Sequence, residues 1–489
     1  MAHDHSPSDV ALIPDAREQK KDLHRAAWAC SLGSALEYYD FALYTLASAL
    51  IFGPLFFPEQ SRAMSLIASF GTYFLGFAVR PLGGVLFGML GDRVGRKFVL
   101  TSTVLLMGIS STLIGALPTF HQIGYLAPVL LVVLRLLQGL GAGAEQAGAA
   151  VMMTEYAPEG RRGFYAALPF LGIQLGTILA ALVYFLVVSG NDNVIASGLW
   201  RVPFFSSVVI VALALYMRMS LQESPTFVRL KALKRVCDNP LKSAMEHSRP
   251  TLLLGIGLRL GENGGSSIYQ ALAVSYIVGV VGLQGPVGVL TLICAACLGA
   301  MTVPIAGKLS DRFGRVVVYR AFAVLQLALA FPVWWVLSLG HVVASIIAIS
   351  IALGIGTWGM FGTQAALMPE LFGSRHRYMG VSIAREVSAV IAGGIAPMIG
   401  AGIIALVVAS HDGDASAGIN AWLPIACYLS LLTLITLYTT FKTPETLNRD
   451  LDEARDAWEM ARAGKVMSGD ISGVHVGSVI TARHSIRAR

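Results

Sequence analysis

Nine ionisable residues lie inside long apolar runs: Glu37, Asp40, Arg80, Arg135, Glu145, Arg259, Glu262, Arg385 and Glu386. Such groups are costly at membrane depth, and where they occur they mark ion or substrate paths. Glu37 and Asp40 are three positions apart, so on a helix they share a face. A carboxylate that moves between a wet setting and an Arg-paired one can load and release a proton. Asp40 is the first candidate for that proton and Glu37 the second. Arg135, with Gln138 one turn on, offers a rigid fork for a carboxylate. It could reset Asp40, hold a substrate acid, or form a permanent salt link to Asp40 or Glu37.

Arg259 and Glu262 are again three apart, beside the Gly-rich polar run Asn263–Ser267. A run of that kind is expected where a helix opens to line a cavity. Arg259 is the leading ligand for a substrate anion, with Glu262, Tyr269 and Gln270 as further contacts; the bland alternative is an internal Arg259–Glu262 pair. Arg385 and Glu386 are adjacent and so point apart. Arg385 is either an extra anion contact or half of a compensated pair near a helix end. Arg80, ahead of Pro81, Gly83 and Gly84, is expected to shape a gate, and Glu145 to make a structural hydrogen bond.

Other chemistry finds little support. Cys294 and Cys297 form a C-x-x-C in an apolar stretch without a partner pair, and His3-Asp4-His5 reads as a solvated tail, so no metal is expected. The sequence lacks a G-x-x-x-x-G-K-[ST] loop, so no nucleotide cofactor is expected and energy must come from a gradient. No nucleophile–base set stands out, and an enzyme is not expected.

The elements that must position these charges are membrane helices. Of 489 residues, 55% are hydrophobic and only 13% charged, about half the charge of a typical soluble domain. Twelve apolar runs are long enough to span a bilayer. They lie near 26–52, 64–90, 98–117, 124–152, 163–189, 201–219, 251–280, 286–307, 316–338, 341–366, 379–409 and 420–441. Residues 1–25 form a polar tail, 220–250 a central loop between two six-span halves (26–219 and 251–441), and 442–489 a second tail. In that tail Leu451–Gly464 reads as an amphipathic helix and the rest as unstructured. Of the 36 Lys and Arg, Arg62 and Arg201 fall on one set of alternate loops and four lie within spans; the others gather on the opposite side. That bias puts both termini in the cytoplasm. It also explains the net charge of +7 without nucleic acid as a partner.

The halves echo each other. Gly88, Asp92, Arg93, Gly95 and Arg96 follow the second span, and Gly307, Asp311, Arg312, Gly314 and Arg315 follow the eighth. Asp92 and Asp311 are 219 positions apart, and Glu155 and Glu370 are 215 apart. A parallel repeat of this kind places a substrate site between the halves, near the midplane. The repeated loop can act as a charged latch that holds one gate state.

This loop resembles the signature of the major facilitator superfamily. Within it the chain is similar to the metabolite–proton symporter group of shikimate, α-ketoglutarate, dicarboxylate and proline/betaine carriers. The closer match rests on Leu36–Phe41, Arg80–Gly84, Arg135 with Gln138, Gly139, Gly143 and Glu145, Glu223-Ser224-Pro225, and Met368–Gly380. The resemblance implies an all-α membrane protein with twelve helices in two halves. It implies proton-driven uptake of a small organic acid across a bacterial inner membrane by alternating access, in a monomer whose partners are substrate, protons and lipid. A zwitterion substrate and an efflux antiporter are the alternatives. The segment Ala167–Gly176 lacks the Gly-Pro expected of drug antiporters. Arg385 and Glu386 depart from the pattern of the shikimate carriers and leave the substrate open.

Overall fold

The computed structural model describes residues 16–59, 62–189, 197–219, 240–374, 376–411 and 415–470. Among the described residues, twelve helical columns overlap the expected spans, and the first begins ten residues earlier than expected, at Ala16 rather than 26. In the first half they are α1 (Ala16–Leu50), α2 (Arg62–Ala78 continued by Arg80–Arg93), α3 (Arg96–Ala116), α4 (Leu126–Tyr156), α5 (Arg162–Ser189) and α6 (Val202–Met219). In the second half they are α7 (Arg249–Ser267, then Ile268–Leu272 and Ala273–Gly279), α8 (Gly285–Phe313), α9 (Arg315–Ser338), α10 (Val342–Ile351, Ala352–Thr357 and Trp358–Leu371), α11 (Arg377–Ser388, Ala389–Gly394 and Ile395–Ala409) and α12 (Trp422–Lys442). Among the described residues, nine helices are long and apolar enough to cross a membrane. The protein is an all-α membrane protein.

Local chemistry explains the irregular points. The joint in α2 at Val79 precedes Pro81, which has no N–H to give to the helix ladder. The middle segments of α7, α10 and α11 are π-helical. Such insertions widen a turn and are frequent at functional sites. The motif glycines Gly95 and Gly314 stand at φ 129° and 102°. That is the region side chains avoid, so both copies of the loop need glycine there.

Facing helices from the two halves meet along two seams. On one, α5 packs against α8 and α10, with Phe170 and Phe361 stacked at 4.2 Å. On the other, α2 and α4 pack against α11; Tyr378 and Met379 fill the space beside Gly88 and Gly91. At the end where the basic loops gather, Gly163 and Gly307 let α5 and α8 touch backbone to backbone: a Cβ on Gly163 would lie 2.3 Å from the Gly307 carbonyl oxygen.

That same end is latched. Asp311 accepts the Gly163 and Phe164 N–H groups at 2.7 and 2.9 Å, placing a carboxylate on the N-terminus of α5. Arg315 bonds Asp311 at 2.7 Å and forks onto Glu370 at 3.1 and 3.2 Å. Arg377 reaches across the halves to Glu155 at 3.2 Å. The expected latch residues Asp311 and Arg315 therefore act through charge; the Arg312 guanidinium stacks over Phe313 instead, at 5.3 Å. The side chains of Asp92, Arg93 and Arg96 lie outside the described residues.

The second tail departs from expectation. Its helix is Ala457–Asp470, not 451–464. The preceding residues form a strap across the latched end. Glu445 accepts the Arg315 and Val316 N–H groups at 2.7 and 3.0 Å, capping α9. Arg162 and Arg377 donate to the carbonyls of Arg449 and Leu451 at 2.5 and 2.6 Å. Asp456 accepts the Gly373 N–H at 2.8 Å and meets His376 at 3.2 Å. Polarity alone suggested a free tail, but buried backbone N–H groups and guanidiniums on the bundle need partners, and the strap supplies them. Residues 1–15, 220–239 and 471–489, including His3-Asp4-His5 and most of the central loop, lie outside the described residues.

Candidate functional site

A cavity of some 730 Å³, its open mouth included, lies between the halves. The first half lines it with the rings of Tyr38, Phe41, Tyr73 and Phe77; the second half lines it with Asn263, Ser266, Ser267 and Gln270. Arg80, Gln146, Arg259, Arg385 and Glu386 also reach it. Stacked spans build this wall because residues three and four apart share a helix face.

Arg80 is the joint between the halves. Its Nη2 donates to Glu37 Oε1 at 3.2 Å, and its Nη1 stands 3.9 Å from Glu386 Oε2 on α11. Its guanidinium lies over Phe41 and Phe77, 4.1 and 4.5 Å from their ring centres. Gln146 runs a parallel link: its Nε2 donates to Glu37 Oε1 at 3.0 Å, and its Oε1 accepts from Arg385. Glu37 Oε2 has no hydrogen-bond partner among the described residues.

Arg259 is the hub of the second half. It bonds Gln364 at 2.7 Å, Asn263 at 3.0 Å and Ser388 at 3.1 Å, and stands 3.3 Å from Glu262. The internal Arg259–Glu262 pair is present, and Arg259 still faces the cavity. Arg80 pairs with Glu37 and stands near Glu386, Arg259 pairs with Glu262, and Arg385 bonds the neutral Gln146, so three guanidiniums and three carboxylates share the region. Buried charges are tolerated only in such matched sets.

Several sequence-based expectations shift. Glu37 and Asp40 do not act on common partners: Glu37 turns to Arg80, whereas Asp40 accepts from Ser207 on α6 at 2.8 Å. Neither pairs with Arg135. That guanidinium sits in an aromatic box, 3.9 Å from the Tyr44 ring centre, 4.7 Å from Phe41 and 5.4 Å from Tyr73, and bonds Gln138 at 2.5 Å. Phe41 and Tyr73 line the cavity, so Arg135 stands behind the wall rather than in it. The rings capture it by cation–π attraction, which competes with a carboxylate for the same charge. Tyr269 is also outside the lining; its ring stacks towards Trp334 on α9 at 6.5 Å, while Gln270, the next residue, faces the cavity. Glu262 lies behind Arg259. Arg385 and Glu386 both reach the cavity, in the first third of α11, just ahead of its π-helical turn. Glu145 accepts from Thr103 at 2.9 Å. Sequence reasoning missed Arg80 and Gln146 as members of the charge network. Arg80 carried a signal, an arginine at membrane depth; Gln146 carried none beyond its place next to Glu145.

The Major Facilitator Superfamily profile matches residues 30–397. Among curated relatives, the shikimate transporter of Escherichia coli is 35% identical over 420 residues, covering 84% of this chain and 94% of that protein. An inner membrane metabolite transport protein of E. coli, YhjE, is 34% identical over 86% of this chain and 94% of its own. The proline/betaine transporter of Salmonella typhimurium is 33% identical over 94% of this chain and 90% of its own. The solved proton:xylose symporter XylE of E. coli superposes with a TM-score of 0.72 at 17% identity, covering 89% of this chain and 99% of that one, which speaks for the fold. The latched repeat, the charged cavity between two six-helix halves and these likenesses converge: the chain belongs to the major facilitator superfamily, a transporter family rather than an enzyme family.

Proposed function

We propose that this transporter takes up a small organic acid together with a proton across a bacterial inner membrane, with both termini in the cytoplasm and alternating access about the central cavity. The observation that carries this reading is Arg80, shared between Glu37 of one half and Glu386 of the other in a cavity whose charges balance. An entering carboxylate can claim a guanidinium only if one of these acids releases it. Protonating Glu37 or Glu386 does that. The proton then rides with the anion, and the cavity stays neutral through the step. Asp40, behind the ring wall and bonded to Ser207, is a second candidate carrier of the proton.

An acid fits better than a quaternary ammonium. Aromatic faces recognise such cations, but here those of Phe41, Phe77 and Tyr73 already carry Arg80 or Arg135. Export would need the same parts run backwards; the sequence between Ala167 and Gly176 gives it no support. In this reading the transporter works as a monomer and its latched end faces the cytoplasm.

The test is reconstitution in liposomes with a trapped pH dye. Shikimate, α-ketoglutarate, other dicarboxylates, aromatic acids, proline and betaine are added singly. Symport of an acid acidifies the lumen beyond passive entry of the free acid into protein-free vesicles, and Glu37→Gln protein loses that signal. Alkalinisation of an acid-loaded lumen would mean exchange and overturn the uptake reading.

A further inference from the structure

The turn of α7 that carries Arg259 is gripped by side chains from two other helices. The Thr436 hydroxyl on α12 donates to the Gly257 carbonyl at 2.8 Å and accepts the Gly261 N–H at 2.8 Å. Those two groups are the acceptor and donor of one rung of the helix ladder. Thr436 also lies 3.2 Å from the Leu258 carbonyl, which accepts the Tyr319 hydroxyl of α9 at 2.6 Å. The Gly261 carbonyl accepts Gln326 Nε2 at 2.8 Å, and the same nitrogen reaches Thr433 at 2.9 Å. A mid-helix turn needs none of these bonds, since the ladder already satisfies its backbone. α7 runs close enough for them because glycines face α12: a Cβ on Gly257 would lie 2.5 Å from Thr439 Oγ1, and one on Gly261 would lie 3.0 Å from both the Thr433 Cα and Thr436 Oγ1. Between Gly257 and Gly261 sits Arg259, whose fork must meet Gln364, Asn263 and Ser388 together.

We propose that Thr436 is a positioning residue for Arg259. Its hydroxyl fixes the height and rotation of the Gly257–Gly261 turn, so that the guanidinium meets its three neutral partners and still presents to the cavity. Because it can serve both ends of one rung, it also keeps those backbone groups bonded if α7 bends there. A site held by hydrogen bonds behind its primary ligand keeps its geometry to within a fraction of an ångström. The proposal deepens the transport reading above and rests on it for what Arg259 binds. The geometry of the turn stands independently of the substrate.

The experiment compares wild type, Thr436→Val and Thr436→Ser, each as full-length protein in nanodiscs. Val keeps the volume and removes the hydroxyl; Ser keeps the hydroxyl. Hydrogen exchange of the 257–261 amides and the rate of phenylglyoxal modification of Arg259 are read by mass spectrometry. Thr436→Val should speed both by about fivefold, the effect of losing one hydrogen bond, while amides elsewhere in α7 hold their rates and Thr436→Ser stays at wild type. With an acid from the panel that wild type takes up, Thr436→Val should raise KM by about the same factor and leave kcat. Unchanged modification of Arg259 in Thr436→Val, even with faster exchange, would reduce Thr436 to a packing residue and overturn the proposal. So would a Thr436→Ser protein that behaves like the Val variant. If wild type takes up no acid, the transport reading fails, and exchange and modification still decide the role of Thr436.

Discussion

The two halves of the bundle share a sequence repeat yet meet the cavity with different chemistry. The first half offers rings, Tyr38, Phe41, Tyr73 and Phe77, and a carboxylate, Glu37, held by Arg80. The second offers amides and hydroxyls around the Arg259 hub, and among the described residues the π-helical turns are all in its helices. The repeat is kept where the halves must latch to each other and lost where they must do different work. Rings suit a fixed wall that shields charge. Widened turns, where a helix changes its hydrogen-bond pattern, suit a wall that moves.

If Arg80 is what joins these unlike walls, removing it should have the largest effect. Arg80→Met strands two acids in a buried site, which costs roughly 3–5 kcal/mol; thermal unfolding in detergent should fall sharply. Neutralising the nearer acid in Arg80→Met/Glu37→Gln should recover much of that loss, whereas adding Glu386→Gln, whose oxygen is farther from Arg80, should recover less. Equal recovery would mean that the two halves hold Arg80 alike.

The latch should respond next. Gly163→Ala places a methyl against the Gly307 carbonyl and should part α5 from α8. Uptake should drop about tenfold, the scale of a 1–2 kcal/mol clash penalty, while thiol labelling from the basic-loop face rises. Gly172→Ala, a close contact with α1 inside one half, should lower stability without that rise in labelling. The same labelling pattern in both would dissolve the distinction between seam and core.

The strap should give the smallest effect. Burial alone pushes the Asp456 carboxyl up, but hydrogen bonds from His376, Ser248 and the Gly373 N–H outweigh it and hold it below its ordinary 3.8. A lowered carboxyl contributes its stability in full above the unfolded value and loses it as pH falls through the folded one. Asp456→Asn should therefore cost about 1 kcal/mol at neutral pH, and the gap to wild type should close below pH 3.8.

Much of this was legible in the sequence. Apolar length pointed to the helical columns, and the repeated Gly-Asp-Arg-Gly-Arg loop pointed to Asp311 and Arg315, which are ion-paired at the seam, because turn geometry and charge are local signals. The partners of buried charges were not legible. Arg135 was expected on Asp40 or Glu37, but helix rotation turned it into Tyr44, Phe41 and Tyr73. Tyr269 and Gln270 looked alike as donors, and the π-helical turn that begins at Ile268 places only Gln270 in the cavity. Gln146 and the strap depend on which groups α4 and α12 bring near, and no local spacing encodes that.

The central claim is that a proton on Glu37 frees Arg80 for the substrate anion, and Glu37→Gln tests it most directly. The amide mimics a carboxyl that keeps its proton. In liposomes, with an acid that wild type takes up, two rates are compared: accumulation driven by an inward proton gradient, and exchange of labelled for unlabelled substrate at equal pH. The account requires Glu37→Gln to lose accumulation, keep exchange, and bind substrate with little dependence on pH. A variant that still accumulates substrate against its gradient, or that loses exchange and accumulation together while folded, would contradict it.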